Sequence, residues 1–77
     1  DLSPVIQALQ EKLHRYRTDE LEQQKFRLND EEIKKADKLT TSVVNKIANQ
    51  ATEYIKSKYR HSEEVVKMME EMFKLKQ

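Results

Sequence analysis

Two histidines, His14 and His61, are the side chains of this chain with the widest chemical reach. A histidine can hold a metal or move a proton, but either use needs a second group at the right spacing. His14 stands beside Leu13, with no second ligand three or four residues further on, and reads as a rim histidine. His61 adjoins Ser62 and reads as part of a turn. Neither has a serine or cysteine arranged beside it for nucleophilic catalysis. Glu63-Glu64 and Glu70-Glu71 are paired carboxylates. Acid catalysis would need one of them buried in a cleft to raise its pKa, whereas a helix this highly charged normally turns such pairs to water. Met68, Met69, Met72 and Phe73 could form an adaptable groove, yet their helical spacing reads as core. No catalytic, cofactor-binding or metal-ligating residue is therefore expected within these residues.

The basic residues Lys34, Lys35, Lys38, Lys46, Lys56, Lys58 and Arg60 could touch phosphates. They are interspersed with acids and lack aromatics arranged to stack on bases. A helical RNA- or tRNA-binding module that uses them stands as the alternative reading. Tyr16, Tyr54 and Tyr59 fit packing with a hydrogen-bonded rim better than base stacking.

The elements that must position these groups follow from an absence. The 77 residues contain no glycine, and the one proline, Pro4, comes directly after Ser3. A Gly-rich phosphate loop is excluded, and tight primed hairpin turns lose their preferred residues. Charged residues make up 38% and apolar residues 36%, with 15 Lys+Arg against 14 Asp+Glu, so the charge is mixed rather than polyelectrolyte. A net charge of +1 gives no strong steering toward nucleic acid. The chain contains no cysteine, which excludes disulfides and suits a reducing cytosol. There is no signal peptide and no apolar run long enough to span a membrane, so a soluble, cytoplasmic domain is expected.

Caps and periodicity predict an all-α fold of three helices, about 4–28, 30–60 and 63–75, as a single domain over 1–77. Ser3-Pro4 is a start signal. Ile6, Leu9, Leu13 and Tyr16 then form a stripe, with Leu21 and Leu28 rotated to one side and Phe26 off it. Asn29 with Glu32 reads as a capping box. The second helix carries Ile33, Ala36, Thr40, Val43, Ile47, Ala51, Tyr54 and Lys58 on one face, widened by Leu39, Val44 and Ile55. Ser62 reads as the third cap, followed by Val65, Val66, Met69, Met72 and Phe73, with Lys74 and Lys76 near the favoured C-terminal end.

The lengths carry functional information. A third helix of about 20 Å cannot cover a second of about 45 Å. Apolar surface around Val43, Val44, Ile47 and Ala51 should stay partly open, and such patches are usually buried against a partner. A two-fold homodimer completing the bundle is the simplest remedy. Leu9, Leu13 and Tyr16 are expected to flank that interface.

The order of the motifs resembles one family. Ser3-Pro4-Val5-Ile6-Gln7-Ala8-Leu9 followed by Glu11-Lys12 is similar to the opening of the C-terminal dimerization domain of glutamyl-tRNA reductase, with Gln10 where an arginine is usual. Glu20-Leu21 and Leu28-Asn29-Asp30-Glu31-Glu32 resemble its later motifs, with asparagine in the capping role. Leu39-Thr40-Thr41-Ser42-Val43-Val44-Asn45-Lys46-Ile47 is the most specific stretch. After it Ala48-Asn49-Gln50-Ala51 departs from the family's Leu-His-x-Pro and leaves the helix unbroken. Glu71-Met72-Phe73-Lys74-Leu75 resembles its terminal element, with Lys74 in place of glycine. The resemblance implies a non-catalytic dimerization domain of an enzyme that uses NADPH to reduce glutamyl-tRNA to glutamate-1-semialdehyde for tetrapyrrole synthesis. Catalytic and nucleotide-binding residues, and contacts to tRNA, would lie in other domains.

Overall fold

A computed structural model gives the fold of residues 2–75; Lys76 and the Tyr59 side chain lie outside the described residues. The fold is all-α: helix α1 spans Ser3–Gln24, α2 spans Asp30–Ser57 and α3 spans Ser62–Phe73. Short 3-10 turns at Lys25–Arg27 and Tyr59–His61 join them. Both long helices stop a few residues before the ends expected from periodicity. The first gives way to the 3-10 turn, after which Leu28 turns extended (φ −125°, ψ 142°). That turn lets Asn29 take the extended backbone an N-cap needs (φ −83°, ψ 175°).

The capping box forms as read. Asn29 Oδ1 accepts from the Glu32 N–H at 2.8 Å, and Glu32 Oε1 accepts from the Asn29 N–H at 2.9 Å. Asp30, Glu31 and Glu32 add negative charge to the first turn, where the helix dipole favours it. The two serine caps do not form. Ser3 and Ser62 lie inside their helices, and Leu2 and His61 hold the cap positions without a side-chain bond. The helices start one residue earlier than the serine caps would require, and neither Leu2 (φ −87°, ψ −11°) nor His61 (φ −120°, ψ 29°) has extended backbone or a side-chain oxygen to accept from the first free amides.

α2 runs unbroken for 28 residues, or about 42 Å, straight through Ala48-Asn49-Gln50-Ala51. Ala36, Thr40, Val44, Ala48, Ala51 and Ile55 make its inward stripe, and all are buried or half-buried. The alanines allow close approach of the neighbouring helices. Thr40 and Thr52 satisfy their hydroxyls on the Ala36 and Ala48 carbonyls at 2.7 and 2.8 Å, so they can sit half-buried.

The core is small and lies at one end. Leu9, Leu13, Ala48, Ile55 and Val65 form it, joined by Leu2, Ile6, Val44, Ala51, Met69, Phe73 and Leu75. α3 meets the start of α1 and the end of α2 there. The body is long and thin, 48 × 24 × 15 Å. Its radius of gyration is 14.8 Å, against about 11.5 Å for a compact domain of this length.

α3 does not continue into Lys74. Lys74 adopts left-handed backbone (φ 54°, ψ 49°), and the Leu75 N–H donates to the Glu70 carbonyl at 2.9 Å. This is a Schellman ending with a lysine where glycine fits best, and half-buried Leu75 packs back on the core. A residue with a Cβ is strained there by about 1–2 kcal/mol. Lys74→Gly should therefore stabilise the fold by about 1 kcal/mol, raising the thermal midpoint by about 4–8 °C at fixed protein concentration.

Candidate functional site

Beyond Leu13 on α1 and before Val44 on α2, no residue belongs to the core. The two helices run on together as an arm without a third. The pairs His14 to Asn45 and Arg17 to Asp37 proceed in opposite directions along the two helices, so the arm is antiparallel. One side of it is an open groove of about 590 Å³. Leu13, Tyr16, Leu21 and Leu28 line it from the α1 side and Leu39, Val43, Val44 and Ile47 from α2, with Arg17, Glu20 and Gln24 also on its wall.

The groove exists because the apolar arc of α2 is wider than its neighbours can fill. Leu39, Val43 and Ile47 repeat every four residues, displaced by one position from the inward stripe Ala36, Thr40, Val44 and Ala48. One residue is about 100° of helix, so the second stripe looks out beside the first. Leu39 stays 70% exposed, and Val43 and Ile47 each 52%.

Of the residues expected to make an interface, Tyr16, Val43 and Ile47 are exposed and Val44 and Ala51 are half-buried. Leu9 and Leu13 are in a different position: both are buried within this one chain, Leu9 at 0% exposure. Leu13 nonetheless lines the inner end of the groove, whereas Leu9 lies in the core with Val65 of α3. Leu39, read from the sequence as a flank of the face, lines the groove and stays exposed beside Val43 and Ile47. The four-residue repeat with Val43 and Ile47 was the available signal.

A polar network crosses the arm, and the sequence reading missed it. His14 Nε2 lies 3.0 Å from Asn45 Oδ1, and Arg17 Nε donates to His14 Nδ1 at 3.3 Å. Arg17 also donates through a terminal nitrogen to Asp37 Oδ1 at 2.5 Å. Because Nδ1 accepts, the neutral ring carries its proton on Nε2 and donates it to Asn45. Four residues on two helices thus satisfy one another. The i, i+3 spacing of His14 and Arg17 was legible, but their partners lie 31 and 20 residues away.

The remaining candidates are dispersed. His61, Glu63, Glu64 and Glu71 are exposed, and Glu70 is half-buried at another part of α3. Among the described residues no group of three or more His, Asp or Glu is placed to hold a metal. Lys34, Lys35 and Lys38 share their stretch of surface with Glu31 and Asp37, so the face is mixed in sign and nothing in it favours RNA. Met69 and Phe73 join the core, whereas Met68 and Met72 are exposed. Lysines lie over three exposed rings, Lys12 on Tyr16, Lys25 on Phe26 and Lys58 on Tyr54, with ring-centre distances of 6.0, 5.4 and 5.6 Å. No helix among the described residues is long and apolar enough to cross a membrane.

The exposed area bears on what the arm is for. The chain exposes 6424 Å². A compact monomer of this mass exposes about 4,900 Å², so roughly 1,500 Å² is in excess. A stable protein–protein interface takes about 800 Å² from each partner, and obligate homodimers take more.

A family model described as the glutamyl-tRNAGlu reductase dimerisation domain matches residues 1–75. Neither a curated protein nor a solved structure gives a significant match.

Burial separates two large apolar side chains in this structure. Leu9→Ala should lower unfolding free energy by about 2–5 kcal/mol, because it opens a cavity in the core. Phe26→Ala, at a position 88% exposed in the turn between α1 and α2, should change it by no more than about 0.5 kcal/mol. Urea titration of both variants at one protein concentration measures the contrast.

Proposed function

The chain belongs to the glutamyl-tRNA reductase dimerisation-domain family, and from that premise we propose that its open α1–α2 arm is where two copies meet. The observation that carries this reading is the unfilled groove. Leu39, Val43 and Ile47 form a continuous apolar strip on the long helix, with no described residue covering it. A second arm laid against it by a two-fold axis would complete a helical bundle and remove the excess area. Tyr16, Val43, Val44, Ile47 and Ala51 are the contact residues of this reading, joined by Leu39, with Leu13 at the inner end of the groove and Leu9 in the adjoining core.

The parent enzyme in this reading uses NADPH in the cytoplasm to reduce glutamyl-tRNA to glutamate-1-semialdehyde, an early step of tetrapyrrole and heme synthesis. We assign that reduction, and the recognition of tRNA, to residues outside this chain. The residues here do not fit the cofactor. A pyrophosphate seeks glycine-rich backbone and free amides at a helix N-terminus. This chain contains no glycine, and the starts of α2 and α3 carry Asp30, Glu31 and Glu32, and Glu63 and Glu64, which repel phosphate. The domain's part in the reaction is to hold two catalytic subunits in a set relation.

Val43→Asp or Ile47→Asp places a charge in the centre of the pairing surface. An unpaired buried charge costs several kcal/mol, so self-association should weaken by a hundredfold or more. Sedimentation should give a dimer for the unmodified chain at micromolar concentration and a monomer or unfolded chain for the variants. Denaturation midpoints of the unmodified chain should rise with protein concentration. A well-folded monomer of the unmodified chain across that range would sink the reading.

A further inference from the structure

The arm has little apolar packing of its own to hold it together. Beyond Leu13 no side chain of α3 reaches it, and much of its apolar surface faces outward. The polar network of His14, Arg17, Asp37 and Asn45 crosses it at that point. We propose that this network is a clamp that sets the register and separation of the two arm helices, and thereby gives the groove the shape against which a second copy of this chain docks. The docking half of this proposal rests on the pairing reading above.

Geometry supports a clamp over an incidental surface pair. Two points of α2, eight residues and about 12 Å apart, are tied to two points of α1 only three residues and about 4.5 Å apart. The long Arg17 side chain spans the difference. An apolar contact tolerates sliding, because leucines and valines repack. These bonds do not, since a slip of one residue moves a partner by about 1.5 Å and turns it by about 100°. That is enough to break bonds already between 2.5 and 3.3 Å long. The ring of His14 links both sides, accepting from Arg17 at one nitrogen and donating to Asn45 at the other, so a shift at either end disturbs both bonds. Arg17 also joins the clamp to the docking face: its side chain is 13% exposed and lines the groove. Arg17 and its partners are positioning residues, acting on the groove through the helices they hold.

The test uses the full chain and two readouts. Arg17→Met keeps the long apolar stem and removes both of its bonds. Amide hydrogen exchange should then quicken about tenfold or more in residues 17–24 and 33–44, while residues 5–13 and 48–55 change by less than about twofold. In sedimentation, self-association should weaken about tenfold. The reversed pair Arg17→Asp with Asp37→Arg should recover much of what either single change loses, a rescue that a general loss of packing would not give. Unchanged exchange in the arm, or equal acceleration along the whole chain, overturns the clamp. Arm-selective exchange with undiminished dimer affinity overturns its link to docking. If the unmodified chain sediments as a monomer, the pairing reading and the docking half fall together, and exchange alone decides the clamp.

Discussion

A helix of 12 residues cannot cover one of 28, and most of this molecule follows from that mismatch. At a rise of about 1.5 Å per residue, α3 spans about 18 Å of an α2 that spans about 42 Å. Where the three helices overlap, Leu9, Ala48, Ile55 and Val65 are removed from water and a core forms. Past that overlap the same apolar pattern continues along α2, but among the described residues no third helix lies over it. The hydrophobic effect does not stop at the end of α3; only the cover does. In the pairing proposed above, the exposed strip of one copy meets the same strip of another, which is a use that the family's dimerisation role would make of this shape.

The arm shows how a helix pair survives with so little core. Apolar side chains that a third helix would bury face outward, so they contribute little to holding the pair. Polar side chains then carry the geometry. Arg17, His14, Asp37 and Asn45 satisfy one another across the interface, and the residues that make the face adhesive differ from those that give it shape. Lysines laid over Tyr16 and Tyr54 shield part of the aromatic surface without removing it, a screening that a docking partner could displace.

Turns without glycine are made by other means. Between α1 and α2 a 3-10 turn and an extended Leu28 bring Asn29 into capping position, and Glu32 completes the box. Between α2 and α3 a second 3-10 turn leads into the helix with no side-chain cap. At the end of α3 the left-handed backbone that glycine would take without strain is forced on Lys74, because Leu75 must fold back to the core. The chain makes the hydrogen-bond pattern of a helix stop without the residue best suited to it.

Much of this was legible in the residues. Periodicity and the Asn29–Glu32 box gave three helices and the main break, since both depend on local spacing. The length mismatch, and so the open face at Val43 and Ile47, followed from counting. The stretch from Leu39 to Ile47 pointed to the right family. Two things needed the tertiary structure. Leu9 and Val43 both sit on apolar stripes, and nothing local says that one lies beneath α3 and the other beyond it; that depends on where α3 folds back. His14, Arg17, Asp37 and Asn45 are ordinary polar residues of charged helices until antiparallel packing brings them together. Local sequence determined what each helix is, because its forces act within a turn or two; the fold decided which faces meet, because those contacts join residues far apart along the chain.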